Sequence, residues 1–118
     1  MQNLNQIRAR HVLEFANAGR VRGRNDGEVI KKIPPVIMNN GLMAALAYSM
    51  DRNNQAWKSV FDAIAVHLSD KEVAMIPSDR NSAELLLDYL ASKATSTMLR
   101  DVTAEAGEWL NFARRLVK

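Results

Sequence analysis

Trp57-Lys58-Ser59-Val60-Phe61-Asp62-Ala63-Ile64-Ala65-Val66-His67-Leu68 carries the clearest periodicity in the chain. Trp57, Val60, Phe61, Ile64, Ala65 and Leu68 fall on one side of a helix of about 3.6 residues per turn, with Lys58, Asp62 and His67 elsewhere. The spacing predicts an amphipathic helix with Trp57 and Phe61 as core anchors and His67 toward solvent.

Beyond it, Pro77 and Ser78 to Ser82 read as a loop, and Asn81 with Glu84 reads as the cap of a short helix carrying Leu86, Leu87, Leu90 and Ala91. From about Ser96 to Leu116, residues Leu99, Val102, Ala106, Trp109, Ala113 and Leu116 step by three and four, a long helix with Trp109 in the core. Asp101 and Glu105 lie toward its start and Arg114, Arg115 and Lys118 at its end, as the helix dipole favours.

Upstream, Leu42, Met43, Leu46, Ala47 and Met50 form an apolar helix opened by a sharp turn at Asn39-Asn40-Gly41 and ended by Asp51-Arg52-Asn53-Asn54. Asn25 with Glu28 signals an earlier helix start, and Pro34-Pro35 is expected to kink or break that helix near Ile33. The first helix runs from about Asn3 to Ala18, with Asn3 and Gln6 as a capping box. Gly19 ends it, and Gly19-Arg20-Val21-Arg22-Gly23-Arg24 reads as a basic loop. Every clear element is helical and no alternating strand pattern appears. The expected fold is all-α, one compact domain over residues 1–118 built as a bundle of about five to six helices.

The chain has 118 residues, 47% of them hydrophobic, and no cysteine, so a core forms without disulfides or Cys-ligated zinc. The longest charge-free stretch, Ile33 to Met50, holds two prolines, a glycine and two asparagines and is too broken to span a bilayer. The N-terminus puts polar residues where a signal peptide is apolar, so a cytoplasmic location is the expectation.

His11 and His67 belong to no metal-ligand pattern, and His11, on the apolar stripe of the first helix, reads as a partly buried, hydrogen-bonded histidine. The carboxylates are scattered near basic residues, as solvated ion-pair partners are. Phosphate-binding glycine loops and nucleophile motifs are absent. No catalytic residue, metal ligand or cofactor is nominated, and the expected protein is not an enzyme.

Charge is uneven. Residues 1 to 32 hold seven basic residues against three acidic ones, although the whole chain carries a net charge of only +3. Arg8, Arg10, Arg20, Arg22, Arg24, Lys31 and Lys32, gathered on one surface, would suit a phosphate backbone; the plainer reading is a solvated face. Seven aromatics, mostly on apolar stripes, give weak support for base-specific readout. Met38, Met43, Met50, Met75 and Met98 read as gap fillers in a helical core.

Three segments together resemble a known family. They are Gln6-Ile7-Arg8-Ala9-Arg10-His11-Val12-Leu13-Glu14-Phe15; Val29-Ile30-Lys31-Lys32-Ile33-Pro34 leading to Ile37-Met38-Asn39-Asn40-Gly41-Leu42-Met43-Ala44-Ala45-Leu46-Ala47-Tyr48; and Leu99-Arg100-Asp101-Val102-Thr103-Ala104-Glu105-Ala106 with Glu108-Trp109-Leu110-Asn111-Phe112-Ala113-Arg114-Arg115. In order, spacing and chain length they resemble the small subunit of the type III-B CRISPR RNA-guided effector, the Cmr complex. Met98, where an aromatic is expected, and the second proline, Pro35, depart from the family pattern at positions that touch packing.

The resemblance implies a non-catalytic helical protein stacked in several copies against the repeated backbone subunit, beside paired guide RNA and target RNA. Cleavage and cyclic oligoadenylate synthesis then belong to other subunits. It implicates Arg8, Arg10, Lys31, Lys32, Arg114 and Arg115 in RNA contact, to which charge adds Arg20, Arg22 and Arg24. A protein-docking scaffold without RNA contact is the alternative. A helix-turn-helix DNA regulator is disfavoured because the helix after the Asn-Gly turn opens with Leu42-Met43-Ala44-Ala45.

Overall fold

The computed structural model describes residues 3–19, 21, 23–51 and 55–117, without the side chains of 23–27. Among these residues there are six helices and no strand: α1 (Leu4–Ala18), α2 (Gly23–Asn40), α3 (Leu42–Ser49), α4 (Gln55–Ser69), α5 (Ala83–Ser92) and α6 (Ser96–Leu116). The all-α bundle expected from the sequence is the fold.

Helix α4 is its centre, touching each of the other five. Its six stripe residues are all buried, with Val60, Phe61, Ile64, Ala65 and Leu68 fully enclosed. Each such side chain removed from water contributes roughly 1.5–3 kcal/mol for the larger residues, and this stripe is where the five partners meet. Central position also corrects the reading of His67. A helix covered on most sides buries more than one stripe, and His67 is fully buried rather than solvent-facing.

Local signals explain most boundaries. Asn3 Oδ1 accepts from the Gln6 amide and Gln6 Oε1 from the Asn3 amide, each at 2.9 Å, so the capping box starts α1. Gly19 ends it at φ 69°, the left-handed conformation that closes a helix. Gly41, at φ 89°, makes the turn between α2 and α3. Helix α5 is capped one residue later than the sequence suggested. Ser82 Oγ accepts from the Leu85 amide, and Asp62 Oδ1 of α4 takes the Ala83 amide at 2.8 Å, so a tertiary acceptor fixes the start in place of an Asn81–Glu84 box.

The prolines give the largest departure in backbone. Helix α2 continues through Pro34 and Pro35 instead of breaking near Ile33. Proline's fixed φ is itself helical, and what is lost is two amide donors. Ile30, Ile33 and Ile37 are buried on one side of α2 both before and after the prolines, against α3, α4 and α6, and this packing outweighs the missing hydrogen bonds.

The methionines divide. Met50 and Met75 pack against the core as gap fillers and Met98 is half-buried. Met38 is 85% exposed and Met43 lies at the surface, so neither fills a core gap.

Candidate nucleic-acid interface

The nominated cations separate into two groups. The first-helix pair is turned onto the protein itself. Arg8 Nε and Nη2 donate to the two oxygens of Glu105 at 2.7 and 2.6 Å, the planar fork holding the carboxylate on both sides. Arg10 Nη2 donates to Glu72 at 2.5 Å. The hydrogen bond to Glu105 raises the pKa of Arg8 further.

Glu105 is the middle of a buried polar chain across three helices. His67 Nε2 of α4 lies 2.8 Å from Glu105 Oε2 of α6, and His67 Nδ1 lies 2.7 Å from His11 Nδ1 of α1. Burial pushes the Glu105 carboxyl up, but hydrogen bonds from Arg8 and His67 outweigh it and hold the pKa at about 2. The ionised carboxylate only accepts, so His67 carries its proton on Nε2. One of the two facing Nδ1 atoms then donates to the other. His11 is half-buried and hydrogen-bonded, as the sequence suggested. Its pKa is lowered, first by burial and then by the neighbouring His67.

Sequence reasoning missed this chain, because its members lie far apart in sequence. Yet Glu105 stands three residues after Val102 and four before Trp109, and His67 three after Ile64. Both occupy stripe positions. They are bound there as satisfied polar groups, and Glu105 is buried rather than solvated.

The second group stays at the surface. Lys31, Lys32, Arg114 and Arg115 are all exposed. Lys31 has one exposed partner, Glu28 at 3.7 Å, a pairing worth little in water. Among the described residues Lys32, Arg114 and Arg115 have no acidic partner.

Folding also brings α2 and the end of α6 together here. Lys31 and Arg114 line one recess of about 490 Å³ with Pro34, Pro35 and Met38. Lys31 and Lys32 line a second, of about 640 Å³, with Pro35, Tyr48 and Trp57. No described residue of either lining is acidic. The recess beside Arg8, by contrast, holds Asp101, Glu105 and Glu108, and the one beside His11 holds Glu14 and Asp70. Arg20 and Arg22 lie outside the described residues, as does the side chain of Arg24, and so does much of the expected basic loop; the backbone of Gly23 and Arg24 already belongs to α2.

In a comparison with known families, the one described as CRISPR-associated protein (Cas_Cmr5) matches residues 4–118. The chain belongs to that family. Membership of the Cas_Cmr5 family makes it a subunit of a type III-B Cmr complex and bears out the resemblance read from the three segments. No curated protein and no solved structure matches the chain. The segment with the Lys31-Lys32 pair and the Asn39-Asn40-Gly41 turn is the part of this Cas_Cmr5 chain that forms α2 and opens α3. Pro35, a departure from the family pattern expected to affect packing, stands in the wall of both basic recesses. No helix among the described residues is long and apolar enough to cross a membrane.

Proposed function

We propose that this Cmr subunit is non-catalytic and holds RNA by its phosphate backbone along the α2–α6 face, through Lys31, Lys32, Arg114 and Arg115. One observation carries the reading: cations of α2 and of the end of α6 meet around two recesses with no acidic residue in their described linings, while Arg8 and Arg10 of α1 are held by Glu105 and Glu72. Arginine and lysine on such a surface attract phosphate without reading base identity. Guide RNA and target RNA are the polyanions of the complex, and the face serves either strand.

The α1–α4 side suits protein. Half-exposed Val66 lines a recess with Glu14, Asp70 and Ala18, where acidic residues disfavour phosphate and apolar surface favours a neighbouring subunit. We assign the repeated backbone subunit, or another copy of this chain, to that side. A protein-docking role for the basic face is the second reading, favoured by the 85% exposure of Met38 beside Arg114.

Paired variants in a reconstituted complex separate these roles. Lys32→Glu with Arg114→Glu should leave assembly intact and weaken target-RNA affinity by at least about tenfold, since each contact changes from attraction to repulsion. Val66→Asp should reduce incorporation of the subunit and leave the RNA affinity of assembled complexes unchanged. Loss of assembly with the first pair and unchanged RNA affinity would assign the basic face to protein. Labelled RNA incubated with the purified subunit and Mg²⁺ should stay intact.

A further inference from the structure

The larger basic recess differs from the other in having an aromatic wall. Tyr48 of α3 is 53% exposed, and its ring meets Trp57 of α4 edge to face at 4.8 Å. Trp57 is in turn nearly buried and packs against Phe61 at 6.4 Å. The exposed ring is therefore braced by Trp57, which Phe61 backs in the core. Pro35, Val36, Ala44 and Asn40 line the same recess with Lys31 and Lys32. The volume of about 640 Å³ is that of a small-molecule site, mostly apolar with polar groups at one edge.

We infer that this recess seats one unpaired nucleobase of the bound RNA against Tyr48, with the flanking phosphates on Lys31 and Lys32. The inference rests on the proposed RNA-binding face and adds a base contact to it. A braced aromatic beside adjacent lysines matches the two needs of single-stranded RNA, a π-face to stack on and cations for the backbone. A base within a duplex is covered by its neighbours, so the occupant is a nucleotide turned out of the guide–target helix or lying beyond its end. Every base has a π-face, so the site takes any of the four. An acidic peptide meets the same lysines, but Asn40 is the one side-chain amide in the described lining, so a peptide backbone finds few partners there.

The test uses the reconstituted complex with a guide RNA or a target RNA carrying 5-iodouridine at successive positions, a photoprobe that couples to aromatic rings it stacks on. At least one position should crosslink to Tyr48. Tyr48→Ala should abolish that crosslink and weaken target binding by about five- to tenfold, whereas Tyr48→Phe should preserve both, because stacking needs the ring and not the hydroxyl. Tyr48 is half exposed, so the thermal midpoint of the free Tyr48→Ala subunit should hold.

No crosslink to Tyr48 at any position in either strand, in a complex whose RNA affinity still falls with Lys32→Glu and Arg114→Glu, would overturn the base site and leave the backbone reading standing. Loss of the subunit from the complex on Tyr48→Ala, with Tyr48→Phe incorporated normally, would overturn it in favour of a protein occupant. An RNA affinity indifferent to Lys32 and Arg114 would instead remove the backbone reading.

Discussion

Glu105→Ala should destabilise the isolated subunit by about 3–5 kcal/mol, read as a lower urea midpoint at pH 7. Glu105 is 3% exposed and receives hydrogen bonds from Arg8 and His67, and its removal strands a largely buried guanidinium and a fully buried imidazole. Breaking one member of a buried pair costs that much because the survivor keeps its desolvation penalty. Replacing the group together, as Arg8→Met with Glu105→Leu and His67→Leu, should cost much less than the sum of the single changes. A Glu105→Ala midpoint equal to the parent's would show that the chain is not holding α1, α4 and α6 together.

The same residues set the acid limit of the fold. Glu105 is held at about 2 against an ordinary 4.5, a depressed carboxylate. Such a group adds stability fully present above about pH 4.5 and lost as the pH falls toward 2, about 3 kcal/mol in all. His11, also lowered, acts in the same direction at higher pH: the fold prefers it neutral, so its contribution is present above about 6.5 and fades below that. Stability should therefore fall in two stages on acidification. In Glu105→Gln the lower stage should vanish.

Trp109→Ala should cost a similar 3–5 kcal/mol, the usual range for deleting a large buried aromatic. Trp109 has no exposed surface and meets Phe15 edge to face at 5.4 Å, joining α6 to α1. Its Nε1 is buried without a hydrogen-bond partner among the described residues. Trp109→Phe should thus cost well under half as much, because it removes an unsatisfied donor along with the lost volume. An unchanged denaturation midpoint in Trp109→Ala, with assembly abolished, would make Trp109 an interface anchor and not a core residue.

The helices were legible because apolar residues at helical spacing bury in proportion to area, whatever their partners are. Trp57 to Leu68 and Val102 to Ala113 are such cases, and the Asn3–Gln6 box is decided within four residues. Pro34-Pro35 misled for the opposite reason. Local propensity favours a break, and the isoleucines that carry α2 across it act through contacts with distant helices. His67 and Glu105 sat at core positions in plain sequence view, but polarity argued for solvent, and their partners lie 38 to 97 residues away. The family resemblance located the Lys31-Lys32 segment. Only folding showed that Arg114 joins it and that Glu105 withdraws Arg8 from it.

Contact of Lys32 and Arg114 with RNA phosphates is read from the salt dependence of target-RNA affinity. In a reconstituted Cmr complex with Lys32→Ala and Arg114→Ala, two lost contacts should make the slope of log K against log salt shallower by roughly 1.4, at about 0.7 per phosphate of a single strand. Affinity should fall most at low salt and equally for unrelated target sequences. An unchanged slope and affinity in a fully assembled complex would contradict that contact.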